Sequence, residues 1–411
     1  MSLASAIAAR PEAASRHLSP GAAFLLLASI TVSFLAGSSA PTPLYPTYMA
    51  KWGLSPLTIT IIFGIYAIAV LSALLVAGRL SDHVGRRPVL IVAAITQALS
   101  MGMFAVADSA SGLIAARVLQ GLAAGAALAA LGAGMLDLDK ARGATANAVA
   151  PPIGTALGAI VAGLFVQFLP APTHLVYVVF AGIFVAQAVT LLYMRETISP
   201  RAGVLRSLIP RLYLPAATRE PLLLAIPVLV AVWSLAGFYG SLAPRVVKDM
   251  LGSHSPLLDG LSLFVLAASA GVAVLTLQRQ EPVRMLILGA GSLLLGVGIV
   301  LAALPSAALG LFFAGTAVAG VGFGTGFQGS VRTVVAHAAP HERAGVLAII
   351  FIVSYLAMGV PAVIAGIRVA RHGDILQTSL LFGSVIIALA AAALAASGLR
   401  LMTRRPLVSA R

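Results

Sequence analysis

The 411-residue chain has no cysteine. Disulfides, thiolate metal sites and cysteine nucleophiles are therefore excluded. Charge is also scarce, with Asp, Glu, Lys and Arg making up 9% of residues. Acidic groups are scarcest: there are twelve, and all lie in loops or at the ends of apolar runs. No carboxylate is expected in mid-membrane to hold a proton. Asp137 and Asp139 are the nearest candidates, unless they simply cap a helix. None of the seven histidines is expected in mid-span either. None of the three lysines follows a glycine, so the phosphate loop G-x-x-x-x-G-K-[ST] is missing and ATP is not the driver. No metal-ligand cluster or nucleophile–base constellation is evident, so neither a metal, a cofactor nor an enzyme is expected.

Apolar surface is abundant. Hydrophobic residues make up 60% of the chain, and the mean hydropathy is +1.03. A water-soluble fold cannot bury that much, so a polytopic membrane protein follows. The runs 18–50, 52–78, 88–107, 118–136, 143–194, 221–244, 260–278, 285–331, 344–367 and 375–399 carry no Asp, Glu, Lys or Arg. A helix needs roughly 20 apolar residues to cross the hydrocarbon. Run 143–194 is long enough to cross twice, with a polar hinge at Pro170–His174. Run 285–331 has its hinge at Pro305-Ser306. Twelve helices are expected, and a membrane barrel is excluded because its strands would be short and alternating.

The net charge of +14 would point to nucleic acid in a soluble chain. In a membrane protein it sets orientation, so nucleic acid is not an expected partner. With both ends inside, cytoplasmic segments hold 20 of the 26 Lys and Arg, against five in outer loops. The N-terminal segment with Arg10, Glu12 and Arg16 shows no small-residue cleavage site, so the first run is expected to be a retained helix.

A weak internal repeat divides the chain. Gly37-Ser38-Ser39-Ala40-Pro41 recurs as Gly240-Ser241-Leu242-Ala243-Pro244, and Ser55-Pro56-Leu57 as Ser255-Pro256-Leu257. Arg142 pairs with Arg343, and Gly158 with Gly359, at offsets of 200 to 203 residues. Two six-helix halves are expected, 1–194 and 221–411, joined by a basic linker at 195–220. That linker holds Arg195, Arg201, Arg206, Arg211 and Arg219, and a short amphipathic helix is expected near Val204–Ile209.

The most specific local pattern is Gly78-Arg79-Leu80-Ser81-Asp82-His83-Val84-Gly85-Arg86-Arg87. It resembles the signature loop between the second and third helices of the major facilitator superfamily. Leu113, Arg117, Gln120 and Gly121 resemble that family's fourth-helix pattern. Gly154 and Gly158 partly resemble its antiporter pattern, with Thr155 where Pro is usual and Ala159 where a second Gly is usual. Simple small-residue packing explains the same two glycines.

The resemblance implies an all-α integral membrane fold of twelve helices in two bundles related by a pseudo-two-fold. It also implies a gating role for Gly78, Asp82, Gly85, Arg86 and Arg87, with Asp82 facing the start of the eleventh helix. His83 stands where the family often has Arg or Lys. Arg117 reads either as a cavity cation or as a structural, snorkelling arginine. Tyr66, Arg117, Gln120, Trp233, Tyr239, Gln328 and Tyr355 are candidates for a substrate pocket near the midplane. The expected activity is secondary transport of a small organic solute by alternating access, with proton-coupled export from the bacterial inner membrane as the first reading. The alternative is a proton-coupled uptake symporter for a metabolite such as an organic anion. A membrane enzyme or receptor is the reading from a different class. The expected partners are a small-molecule substrate, protons and the lipid bilayer, and the expected state is a monomer.

Overall fold

A computed structural model describes residues 17–210, 212–251 and 255–403. Arg10, Glu12, Arg16 and Arg211 lie outside the described residues. Among the described residues, twelve helices are long and apolar enough to cross a membrane. They are α1 (Pro20–Ser39), α2 (Pro56–Ala77), α3 (Arg86–Val106), α4 (Ala110–Leu138), α5 (Lys140–Phe168) and α6 (Pro172–Leu191). The remainder are α7 (Ala216–Ser241), α8 (Pro256–Leu277), α9 (Pro282–Ala303), α10 (Leu309–Val335), α11 (Arg343–His372) and α12 (Ile375–Thr403). The Pro305-Ser306 hinge falls between α9 and α10, and the Pro170–His174 hinge covers the end of the α5–α6 connection and the first residues of α6. The segment between α6 and α7 carries a single helical turn, Val204–Ser207, shorter than the stretch expected from sequence.

Local chemistry sets where helices begin. Ser19 before Pro20 accepts from the Ala22 amide, and Ser55 before Pro56 accepts from the Thr58 amide at 3.1 Å. Ser supplies an acceptor for an orphan N–H, while Pro sits where its missing N–H costs nothing. Asp139 ends α4 and caps α5 through the Arg142 amide at 2.9 Å. The capping reading of this aspartate is the one the geometry supports.

The short connections make neighbouring helices antiparallel. One face of the molecule carries Asp82, the α6–α7 segment and the start of α11; we call it the linker face. The other, the far face, carries Trp52, Pro256 and His372. Two buried hydrophobic clusters form, one mostly from α1–α6 and one mostly from α7–α12. The two bundles meet through α2 against α11 and α5 against α8. Under the sequence repeat, α2 corresponds to α8 and α5 to α11. The two seams therefore exchange under a pseudo-two-fold, as the repeat requires.

Glycine lets backbones touch at these contacts. A Cβ on Gly154 would lie 2.9 Å from the Leu35 Cβ and 3.0 Å from the Val32 Cα of α1. Gly158 faces Ala36 and Ser39 of α1 even more closely. Gly158→Leu is therefore expected to destabilise the protein by about 1–3 kcal/mol through overpacking. A thermal unfolding midpoint in detergent equal to the parent's would refute the close-packing assignment.

Candidate functional site

The α2–α3 loop is built around Arg86, which is buried although both of its carboxylate partners are partly exposed. Its guanidinium donates to Ser81 Oγ at 2.7 Å, to Asp82 Oδ1, and to Asp137 Oδ2 at 3.2 Å. Asp137 lies at the end of α4, so the loop is anchored to a third helix. Glu196, just past α6, accepts the Arg86 amide at 2.8 Å and the Arg87 amide at 3.0 Å. A carboxylate on the first two amides of α3 satisfies orphan donors and complements the helix dipole. Gly85 has φ +106°, and a Cβ there would lie 2.8 Å from Glu196 Cδ. Only glycine fits both the backbone and the space. Gly78 has an ordinary helical φ of −58°. Sequence reasoning missed Glu196, which in the sequence is only one acid in a basic connector.

On the linker face a cavity of about 650 Å³ separates this loop from α11. Gly78, Arg79, Asp82 and Arg86 line one side, and His341, Glu342 and Gly345 the other. Asp82 is thus placed opposite the start of α11, across open space. The far face is closed. Thr42 Oγ1 donates to the Gly240 carbonyl at 3.1 Å across the seam. A Cβ on Gly366 of α11 would lie 2.9 Å from Thr60 Cβ of α2.

Between these levels lies a second cavity of about 190 Å³, walled by both bundles. Tyr66, Trp233, Gln328 and Tyr355 line it, and the structure brings these four candidates together. Trp233 is packed against Phe323, Phe327 and Tyr355, with ring centroids 6.1, 5.3 and 5.4 Å away. Phe351 lines the linker-face cavity and Tyr355 the inner one. Their rings are 6.3 Å apart, so one turn of α11 separates the two spaces.

Three candidates lie elsewhere. Tyr239 bonds Thr316 at 2.6 Å inside the α7–α12 bundle. Gln120 donates to the Gly37 carbonyl at 3.0 Å. Arg117 is fully buried and donates to the Ser38 carbonyl at 2.8 Å, Gln120 Oε1 at 2.6 Å and Tyr45 Oη at 2.6 Å. Its guanidinium sits over the Tyr66 ring, 5.3 Å from the centroid, and near Phe104 at 5.7 Å. Three neutral acceptors and aromatic faces hold this cation, with no carboxylate among its described partners. Of the residues around this cation, Tyr66 and Ser38 line the cavity. Arg117 and Gln120 act on the cavity indirectly, by fixing the end of α1 whose Ser38 and Ser39 line it.

Sequence reasoning also passed over Ser38, Ser39, Thr42, Asn147 and Thr155 in the wall. Asn147 was detectable as an amide inside a long charge-free run. Asp259, in the first turn of α8, is 4% exposed. Its sequence position at a span end gives no hint of that burial.

Twelve such helices in two bundles, with a cavity between them, have the architecture of a membrane transporter. The chain belongs to the Major Facilitator Superfamily, whose family profile matches residues 27–362. Its fold resembles a bacterial homolog of the human lysosomal transporter Spinster, in an inward-facing and unoccupied conformation. The TM-score is 0.74 at 14% identity, over 95% of this chain and 99% of that one. It also resembles the nucleoside transporter NupG, with a TM-score of 0.66 at 14% identity, over 91% and 98% of the two chains. A multidrug resistance protein, MdtL of Klebsiella pneumoniae (strain 342), is 35% identical over 80 residues. That match spans 20% of each chain.

Proposed function

We propose that the protein is a proton-coupled exporter of a small organic solute, working by alternating access in the inner membrane with its linker face in the cytoplasm. The inner cavity carries the reading. It is walled by both bundles, shut toward the far face, and one helical turn from an opening on the linker face. A solute entering from the linker face reaches the seam that must part to release it on the other side. The surplus of Lys and Arg on linker-face segments supports the orientation. The short match to a multidrug resistance protein and the partial antiporter pattern support export. Flux in oriented vesicles against a compound panel, with and without a pH gradient, tests it. Saturable accumulation against a solute gradient, driven by proton entry, is the expected result. Proton-driven flux in the opposite direction would replace export with uptake.

Two residues are given roles in this cycle. Asp82 is the linker-face latch: when that face closes, its carboxylate meets the amide end of α11, where the helix dipole favours negative charge. Asp82→Asn is expected to shift the population toward the linker-face-open state while leaving folding intact. Distances between spin labels on the linker ends of α2 and α11 read this out. An unchanged distribution with normal transport would remove the latch.

Asp259 is the proton carrier. It is the buried carboxylate among the described residues, and it sits beside the α5–α8 seam. There a Cβ on neighbouring Gly260 would lie 3.2 Å from the Ala159 carbonyl carbon. Parting that seam would admit water to the carboxylate. Asp259→Asn is expected to abolish flux driven by a pH gradient and to spare solute counterflow. Intact proton-driven flux in this variant would take the role away from Asp259.

A further inference from the structure

The transport reading leaves the solute unnamed, but the wall of the inner cavity narrows its chemistry. The geometry points to an uncharged aromatic amphiphile, seated with its ring toward α7, α10 and α11 and its hydrogen-bond donors toward α1 and α5. That this ligand is also the transported solute rests on the reading above; the binding preference rests on the wall alone.

No Asp, Glu, Lys, Arg or His lines this cavity among the described residues. An ion placed there would lose its hydration and find no counter-charge, which favours neutral ligands strongly. Arg117 does not relieve the penalty for an anion. Both of its terminal nitrogens already donate to protein acceptors, and it lies over the Tyr66 ring instead of in the wall.

The two sides of the cavity differ. Toward α7, α10 and α11 the wall is the ring cluster of Trp233, Phe323, Phe327 and Tyr355. Such a nest favours a flat aromatic body. The Trp233 indole N–H is buried and has no hydrogen-bond partner among the described residues. Toward α1 and α5 the wall is polar, and its hydroxyl protons are already spent. Ser38 donates to the Leu35 carbonyl at 2.8 Å, and Ser39 to the Thr155 carbonyl at 2.9 Å. Thr42 donates to Gly240 at 3.1 Å, and Thr155 to Pro151 at 3.1 Å. What these oxygens have left are lone pairs. Pro151 and Pro152 lie inside α5 and have no N–H, so the carbonyls of Asn147 and Ala148 lose their helical donors. All four of these residues line the cavity. The α1–α5 side is therefore a surface of acceptors. A ligand without donors would leave them dry and unpaired, and would be rejected for it.

The sequence provides its own reporter. The chain has two tryptophans, and Trp52 stacks on Tyr48 away from the cavity. In a Trp52→Phe protein, Trp233 fluorescence reports on the cavity alone. Four nitroaromatic quenchers of one shape class are titrated: 4-nitrobenzamide, its N,N-dimethyl amide, 4-nitrobenzoate and 4-nitrobenzamidinium. The primary amide should quench at a concentration at least about tenfold lower than the other three. Titration calorimetry on the unsubstituted protein should give the same order, which guards against damage from the substitution. Ser38→Ala combined with Thr155→Val removes two of the hydroxyl acceptors and should narrow the advantage of the primary over the dimethyl amide. Either ion binding as tightly as the primary amide would overturn the proposal, as would no quenching by any of the four. Survival of the primary amide's full advantage in the Ser38→Ala, Thr155→Val protein would overturn the acceptor side. If this binding order holds and vesicles show no saturable flux of any compound, the transport reading fails and the site assignment stands.

Discussion

Arg117→Ala is expected to destabilise the protein by about 3 kcal/mol, at roughly 1–3 kcal/mol for each buried acceptor left unpaired. The Ser38 carbonyl and Tyr45 Oη would lose their donor, and Gln120, freed on one side, would hold the Gly37 carbonyl less firmly. The end of α1 would then loosen, taking Ser38 and Ser39 out of the cavity wall. Binding should fall for neutral and ionic ligands alike, because the loss is one of shape. Arg117→Lys should recover only part of the stability: an ammonium cannot reach three acceptors in the fork geometry of a guanidinium. Thermal midpoints of the three proteins, with and without ligand, decide it. An alanine variant as stable as the parent would show that the arginine does not hold α1. Selective loss of anion binding would restore the cavity-cation role.

Arg86→Ala should have the second large effect, on the linker face. Hydrogen bonds to charged groups are worth about 1.5–3 kcal/mol each. Asp82 and Asp137 are partly exposed, however, so solvent screening reduces what the pair contributes. A net cost of about 2 kcal/mol is expected, concentrated in the loop. Amide hydrogen exchange should rise across residues 79–87 while α9 and α10 stay protected. Transport should fall more in Arg86→Ala than in Asp82→Asn, because the arginine also ties the loop to α4. Arg86→Lys should lie between, since one ammonium cannot span Ser81, Asp82 and Asp137 together. Unchanged exchange in the loop of the alanine variant would remove Arg86 from the centre of this network.

The sequence made the spans legible because charge is so costly in hydrocarbon that twenty-residue gaps between charges mark each crossing. The Gly78–Arg87 loop was legible from its residue pattern, but that pattern did not separate Gly85, whose φ of +106° needs glycine, from Gly78, whose φ is helical. Side-chain direction was not legible. Arg117 and Tyr66 both read as cavity candidates, yet only Tyr66 reaches the wall. Which face of a helix looks inward depends on neighbours that an all-round apolar helix does not specify. Burial at span ends was hidden too. Asp259 and Glu196 occupy similar boundary positions in the sequence, but one sits beside a seam and the other caps a helix. Ser38 and Ser39 were noticed as repeat markers, and nothing in their spacing revealed that their protons were already committed.

The glycines of α9 and α10 have a mechanical consequence. A Cβ on Gly296 would lie 2.7 Å from Ala319 Cα, and one on Gly322 2.6 Å from the Leu293 amide. At Gly329 it would lie 2.9 Å from Leu286 Cα. Backbones this close cannot slide or roll past one another without first lifting apart. The two helices therefore behave as one laminated beam. Bending during the transport cycle is expected where prolines remove helical hydrogen bonds, at Pro151-Pro152 in α5, Pro361 in α11, and Pro221 and Pro227 in α7. Of these, α5 and α11 form the seams between the bundles, so their compliant joints lie at the moving surfaces and the stiff α9–α10 pair lies away from them.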